Sequence, residues 1–205
     1  MKERNIPYVA FRPETGKLIK AGTNIETASK DLYVFPADQK RTLYDGRYCA
    51  VSGFVFAVVH GKYSVLANQR GQGTPDYQGC WNCPCGFLEC SETSQEGIAR
   101  EIMEECMVQV DPKRLKVVYV ETEPEKCNNG NVTIRHRVFL GKQAQIIWDP
   151  NLGLESGGEK DEVESVRWIP LDKVDKYEWA FGHKETIMSL APRPWIRKIL
   201  ELWYS

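Results

Sequence analysis

Glu101, Glu104 and Glu105 stand three and four residues apart, which gathers their carboxylates on one side of any helix that carries them. Like charges at this spacing repel, and Arg100, four residues before Glu104, is the one cation near enough in sequence to compensate locally. A positive charge is missing. A hard divalent ion such as Mg²⁺ supplies it, because it takes oxygen ligands and commonly shares them with substrate phosphates. Spacing alone fits a solvated acidic helix face equally well, so the surroundings must decide.

The elements around these glutamates follow from periodicity and turn chemistry. Ile98, Ile102 and Cys106, with Ala99 and Met103 alongside, form an apolar stripe opposite the carboxylates and predict a helix over Ser94–Cys106. Its start is marked by Thr93-Ser94-Gln95-Glu96, which has capping-box spacing. Upstream, the β-branched and aromatic run Cys49–Val59, the turn His60-Gly61-Lys62 and the run Tyr63–Asn68 predict a strand pair, followed by a Gly- and Pro-rich loop over Gly71–Pro84. Downstream, Leu115–Glu121 and Val132–Leu140 flank Asn128-Asn129-Gly130-Asn131 and read as an antiparallel pair. Val163–Ile169 is a further short strand, and Lys184–Trp203 is helical with a break at Pro192 and Pro194. This irregular alternation predicts a mixed sheet with helices packed on it. Residues 1–48, where Pro36 would interrupt any long helix, read as an N-terminal extension folded against a main domain over 49–205.

The spacing of the charged residues extends beyond the helix. Gly86 is followed after five residues by Glu92, and after seven more by Arg100-Glu101-Ile102-Met103-Glu104-Glu105-Cys106-Met107-Val108. This run resembles the Nudix box: Gly, five residues, Glu, seven residues, Arg-Glu, an aliphatic residue, any residue, Glu-Glu, any residue, Gly, an aliphatic residue. Gly86, Glu92, Arg100, Glu101, Ile102, Glu104, Glu105 and Val108 fall in register, and Met107 stands where the family has glycine. The flanks Gln69-Arg70-Gly71 and Trp81, then Pro84-Cys85-Gly86-Phe87-Leu88-Glu89, look like the usual approach to the box. The resemblance runs over about residues 49 to 190.

The resemblance implies an α/β fold, a Nudix-type α/β/α sandwich with a mixed β-sheet. It implies a divalent-metal-dependent hydrolase, with Mg²⁺ or Mn²⁺, that cleaves the diphosphate bond of a nucleoside diphosphate linked to another moiety. ADP-ribose or a nucleotide sugar is the preferred substrate, and the segment Glu178–Ile187 resembles the start of a helix in ADP-ribose-type members. A nucleoside triphosphate pyrophosphohydrolase, or a catalytically weak nucleotide-binding sensor, is the alternative. Carried over by position, Glu101 and Glu105 are the principal metal ligands, Glu104 a third, with Gly86 part of the metal site and Glu92 bracing the box through Arg100. The general base is a box glutamate or a carboxylate of the late loop Glu155–Glu164, where Gly157 and Gly158 give mobility to Glu159 or Glu162. Arg70 is a candidate for phosphate and Phe181 for stacking on a base, although an Arg is more often a surface ion pair and a Phe more often core. Family members of this size often dimerise, so a homodimer is also implied.

The departures have physical content. A glycine at the Met107 position would end the helix with φ > 0, where methionine is strained, so the helix is expected to run a turn further or end differently. Cys85 adds a side chain before Gly86, in place of a glycine common there. Cys80-Trp81-Asn82-Cys83-Pro84-Cys85 reads as a soft-metal cluster, since Cys-x-x-Cys turns bind zinc, but no second Cys pair or His pair lies at zinc-finger spacing. Seven cysteines, an odd count in a chain whose first residues lead into no apolar segment, predict free thiols in the reducing cytoplasm. Net charge −1 and a pI near 6.3 argue against a nucleic-acid partner, and no apolar run is long enough to span a membrane.

Overall fold

The computed structural model describes residues 47–126, 130–142 and 161–204 with their side chains, and the backbone of three earlier strands. The chain divides into two compact units, 1–46 and 47–205, each described on its own. In the first, strands β1 (Tyr8–Phe11), β2 (Leu18–Gly22) and β3 (Tyr33–Pro36) form an antiparallel sheet in the order β2-β1-β3. Periodicity predicts no strand here, because runs of four or five residues are too short to display an alternation.

The second unit is built on one mixed sheet. Its strands are β4 (Cys49–Val59), β5 (Lys62–Arg70), β6 (Trp81–Asn82), β7 (Cys85–Phe87), β8 (Lys116–Glu121), β9 (Val132–Lys142) and β10 (Val163–Pro170). The main order is β10-β5-β4-β9-β8, with β6 on β5 and β7 on β4. The pair β4/β9 is parallel and the others antiparallel. Three helices follow the predicted positions: α1 (Ser94–Cys106), α2 (His183–Leu190) and α3 (Pro194–Tyr204). The break between the last two falls at the prolines, which remove a helix donor and force the preceding residue extended.

Strand period decides how the layers form. Along β4, Val51, Val55, Ala57 and Val59 enter a core shared with Ile98, Ile102 and Cys106 of α1, while Phe54, Phe56 and Val58 enter a second core with Ile187 of α2 and Leu200 and Tyr204 of α3. Both faces of the sheet are thus covered by helices, which is the expected sandwich. Gly53 lies on the α1 face because a β-carbon there would sit 2.8 Å from Ile98. Among the described residues, no helix is long and apolar enough to cross a membrane.

The end of α1 differs from one of the two sequence expectations. The helix does not run a further turn: Met107 adopts the left-handed conformation itself, φ 56° and ψ 29°, and its N–H donates to Met103 O at 2.9 Å. Val108, Val110 and Leu115 are buried in the α1-side core directly afterwards. Their burial requires the chain to turn at 107, and the methionine side chain meets that demand by pointing into solvent.

Candidate active site

The box begins as a loop on the edge of β4. Ser52 pairs with Cys85 and Val51 with Gly86, so β7 carries the loop to the sheet end that faces α1. The capping box forms as the sequence predicts, with Thr93 Oγ1 accepting from Glu96 N–H at 3.3 Å and Thr93 N–H donating to Glu96 Oε2 at 2.8 Å.

Arg100 organises the carboxylates. Its Nε and Nη2 donate to the two oxygens of Glu92 at 3.1 and 2.9 Å, a bidentate pair, and Glu92 also accepts Glu89 N–H at 2.9 Å. The Arg100 hydrogen bonds hold the Glu92 carboxyl below its ordinary range. A β-carbon at Gly97 would lie 2.7 Å from Glu92 Oε1, so the glycine inside α1 makes room for this brace. Arg100 Nη1 reaches Glu101 Oε1 at 2.8 Å and Glu104 Oε2 at 2.9 Å, and Nη2 also donates to Phe87 O.

The three helix glutamates are not equivalent. Glu101 is 13% exposed in its side chain and Glu104 45%, and the second faces away from the cavity that Glu101 and Glu105 line. Glu105 Oε2 accepts from Asn68 Nδ2 at 2.8 Å and from Cys85 N–H at 3.2 Å. Burial, reinforced by the charge of Glu101, pushes the Glu105 carboxyl up to about 8. Burial also raises Glu101, against the lowering effect of Arg100. Glu101 and Glu104 meet at one Arg100 nitrogen, whereas Glu105 is held by Asn68 and the Cys85 N–H.

The cavity measures about 350 Å³, within the range of small-molecule sites. Its walls come from β4, β5, the loop after β5, β7, α1, β9 and the segment before α2. Arg70 and Phe181, distant in sequence, meet here: the Arg70 guanidinium lies 4.8 Å from the Phe181 ring centroid. Its charge is already paired, with Nη2 donating to Asp76 Oδ1 at 2.7 Å and Nε to Asp76 O at 3.0 Å. Phe181 is held by main-chain bonds between Trp81 and residues 178 and 180, and it adopts φ 58°. Its ring meets Tyr77, itself at φ 50°, edge-on at 4.9 Å.

Residues 50–190 match the model of the NUDIX domain. This chain belongs to that family. It is 38% identical over 114 residues to an ADP-ribose pyrophosphatase of Methanocaldococcus jannaschii, covering 54% of this chain and 57% of that protein. It is 28% identical over 120 residues to Nudix hydrolase 2 of Arabidopsis thaliana, covering 58% of this chain and 38% of that one. The chain thus spans little more than half the length of the first of these relatives, and less of the second. A solved structure of the NUDIX domain of Shewanella oneidensis NrtR complexed with ADP ribose shares the fold, with TM-score 0.56 and 23% identity over 71% of this chain and 86% of that one.

Within the Nudix fold, Glu162 sits at the cavity wall with its backbone bonded to the loop after β5. Its carbonyl accepts Gly71 N–H at 2.7 Å, and Asp161 O accepts Gly73 N–H at 2.9 Å. Glu159, Gly157 and Gly158 lie outside the described residues. The described cysteines are free, and burial raises the thiols of Cys83, Cys85 and Cys106. Sequence reasoning missed Asn68, Asn82, Arg135 and His183 as cavity residues. Their signal lies in strand register and not in the box, since Asn68 pairs with Asn82 and Arg135 with Ser52 across strands.

Proposed function

We propose that this NUDIX protein is a divalent-metal-dependent diphosphohydrolase acting on a nucleoside diphosphate linked to another moiety, with ADP-ribose or a nucleotide sugar as the preferred substrate class. One observation carries the reading: Glu101 and Glu105 bring two mutually repelling, desolvated carboxylates to the wall of a cavity of ligand size. The residues fit a hard cation. Both are oxygen donors, Asn68 Oδ1 beside them is buried without a partner, and Gly86 leaves open the place where a β-carbon would collide with the Glu101 carboxylate. When bound, Mg²⁺ or Mn²⁺ neutralises phosphate charge and acidifies water.

The chain's own groups supply position. Glu101 and Glu105 are the principal ligands proposed for the ion, with Gly86 beside them and Glu104, which shares Arg100 with Glu101, as a third. Glu92 and Arg100 fix the loop against the helix, and Phe181, with the ion-paired Arg70 over its ring, offers an aromatic wall to a nucleobase. A box glutamate or Glu162, which lines the same cavity, is the candidate general base. The 38% identity to a protein named ADP-ribose pyrophosphatase supports the substrate class. Incubation with ADP-ribose, nucleotide sugars, dinucleoside polyphosphates and nucleoside triphosphates, each with Mg²⁺ or Mn²⁺, tests the reading. Release of a nucleoside monophosphate from ADP-ribose or a nucleotide sugar, lost in Glu105→Gln, is expected. No turnover across the panel, or turnover indifferent to Glu105→Gln, overturns it.

A further inference from the structure

Among the described residues, three Lys or Arg side chains line the cavity: Arg70, Lys126 and Arg135. Two are already neutralised, Arg70 by Asp76 at 2.7 Å and Lys126 by Glu123 at 2.5 Å. Arg135 has no carboxylate within ion-pair distance among the described residues. Its Nη1 donates to Thr186 Oγ1, its guanidinium carbon lies 5.8 Å from the Tyr119 ring centroid, and its Nε is buried without a partner. A half-buried guanidinium with an unpaired N–H and no counter-charge is an arrangement that costs free energy unless an anion completes it.

Strand register fixes where that charge stands. Arg135 on β9 is the partner of Ser52 on β4, and Ser52 is the partner of Cys85 on β7, whose N–H donates to Glu105. In-register neighbours present side chains to the same sheet face, and two strand spacings separate the Cys85 and Arg135 backbones by roughly 10 Å. Between them Ser52 Oγ is also buried with no partner. The cavity floor thus runs from carboxylates at one side, across an unsatisfied hydroxyl, to an unneutralised cation at the other.

We propose that Arg135 is a substrate-binding residue that receives the phosphate oxygens of the substrate on the flank opposite Glu101 and Glu105. That the anion is a diphosphate rests on the function proposed above; the anion site itself rests on the geometry of Arg135. A planar guanidinium suits this task because it presents donors in a fixed fork that matches phosphate oxygens.

The test uses the full chain and inorganic pyrophosphate as probe, read by thermal shift with and without Mg²⁺ at constant ionic strength. Wild type is expected to be stabilised, and Arg135→Gln, which retains a donor for Thr186 but no charge, to lose roughly 10- to 100-fold in apparent pyrophosphate affinity. In turnover of the best substrate, Arg135→Gln raises KM by a similar factor while kcat stays within roughly threefold, and Arg135→Lys recovers part of the loss. Should Arg135→Gln fold poorly, Arg135→Lys alone decides, since loss of the fork is expected to weaken pyrophosphate measurably. Three results overturn the proposal: no pyrophosphate response in wild type, an unchanged response in the folded variants, or kcat and thermal stability falling together without a KM change. If no substrate is hydrolysed yet the pyrophosphate response depends on Arg135, the hydrolase reading fails and the anion site stands.

Discussion

A β-carbon built on Gly86 would lie 2.2 Å from Glu101 Oε1 and 2.3 Å from its carboxyl carbon. The obstructing atoms are the end of a side chain and not backbone, so Gly86→Ala can fold by pushing the carboxylate away. A displacement on the order of 1 Å at a positioning group costs about 100-fold in rate. Gly86→Ala is therefore expected to melt within a few degrees of wild type while kcat/KM falls by about that factor. Circular dichroism melts and steady-state kinetics on the same preparation check it. An alanine variant with wild-type kinetics would show that Glu101 does not act from this position.

Glu105 links metal binding to pH. Its folded pKa, about 8, exceeds the ordinary carboxylate value of 4.5, so between these values the folded metal-free protein holds a proton that the unfolded chain has lost. Stability from this group is full below 4.5, declines as pH rises, and is gone above 8. Across that window each pH unit removes about 1.4 kcal/mol at most, less for a carboxylate that keeps some solvent contact. In EDTA, Glu105→Gln is expected to melt above wild type at pH 8 and close to it at pH 5. With Mg²⁺, wild type gains stability at pH 8 and the variant gains less. Melting curves at the two pH values decide, and a variant less stable than wild type at pH 8 in EDTA contradicts the assignment.

Met107 carries a strain that glycine would relieve. A left-handed backbone costs an L-residue roughly 1–2 kcal/mol, and the exposed methionine side chain returns little packing. Met107→Gly is expected to raise stability by about 1 kcal/mol, or roughly 2–4 °C for a chain of this size. Kinetic constants should stay the same, because the carboxylates lie on the preceding turns. A lower melting temperature would mean that the methionine makes a compensating contact.

Helix α1 is legible in the sequence because three signals agree there: the capping box, the apolar stripe of Ile98, Ile102 and Cys106, and the charged spacing. The Met107 position is legible as a conflict but not in its outcome, since one residue cannot tell whether the helix or the residue will yield. Burial of Val108 and Val110 decides it, and that is tertiary information. Glu104 shows the limit of spacing on the site itself. Helical geometry groups it with Glu101, and both meet Arg100, yet only Glu101 lines the cavity. Arg135 and Asn68 are invisible in the sequence because a β-strand residue gains its neighbours from register with strands far away along the chain. Arg70 and Phe181 are weak candidates taken singly, and it takes the fold to place one against the other.

His183 makes the last prediction. Only 3% exposed, it accepts Cys83 N–H through Nδ1 at 3.0 Å and packs edge-on against Phe54 and Phe181. Burial, with the charges of Arg135 and Arg70, depresses its pKa from 6.5 to about 3, so the folded ring stays neutral where the unfolded one becomes protonated. The stability this provides is complete above 6.5 and is lost as pH falls towards 3, at up to about 1.4 kcal/mol per pH unit. Replacing the ring by phenylalanine keeps the volume but strands the Cys83 N–H, at a cost of about 1–3 kcal/mol at pH 7. Because phenylalanine does not titrate, the gap between wild type and His183→Phe is expected to shrink between pH 6.5 and 4. Urea unfolding at a series of pH values measures it, and a gap that stays constant across that window would mean the imidazole is not held neutral by its burial.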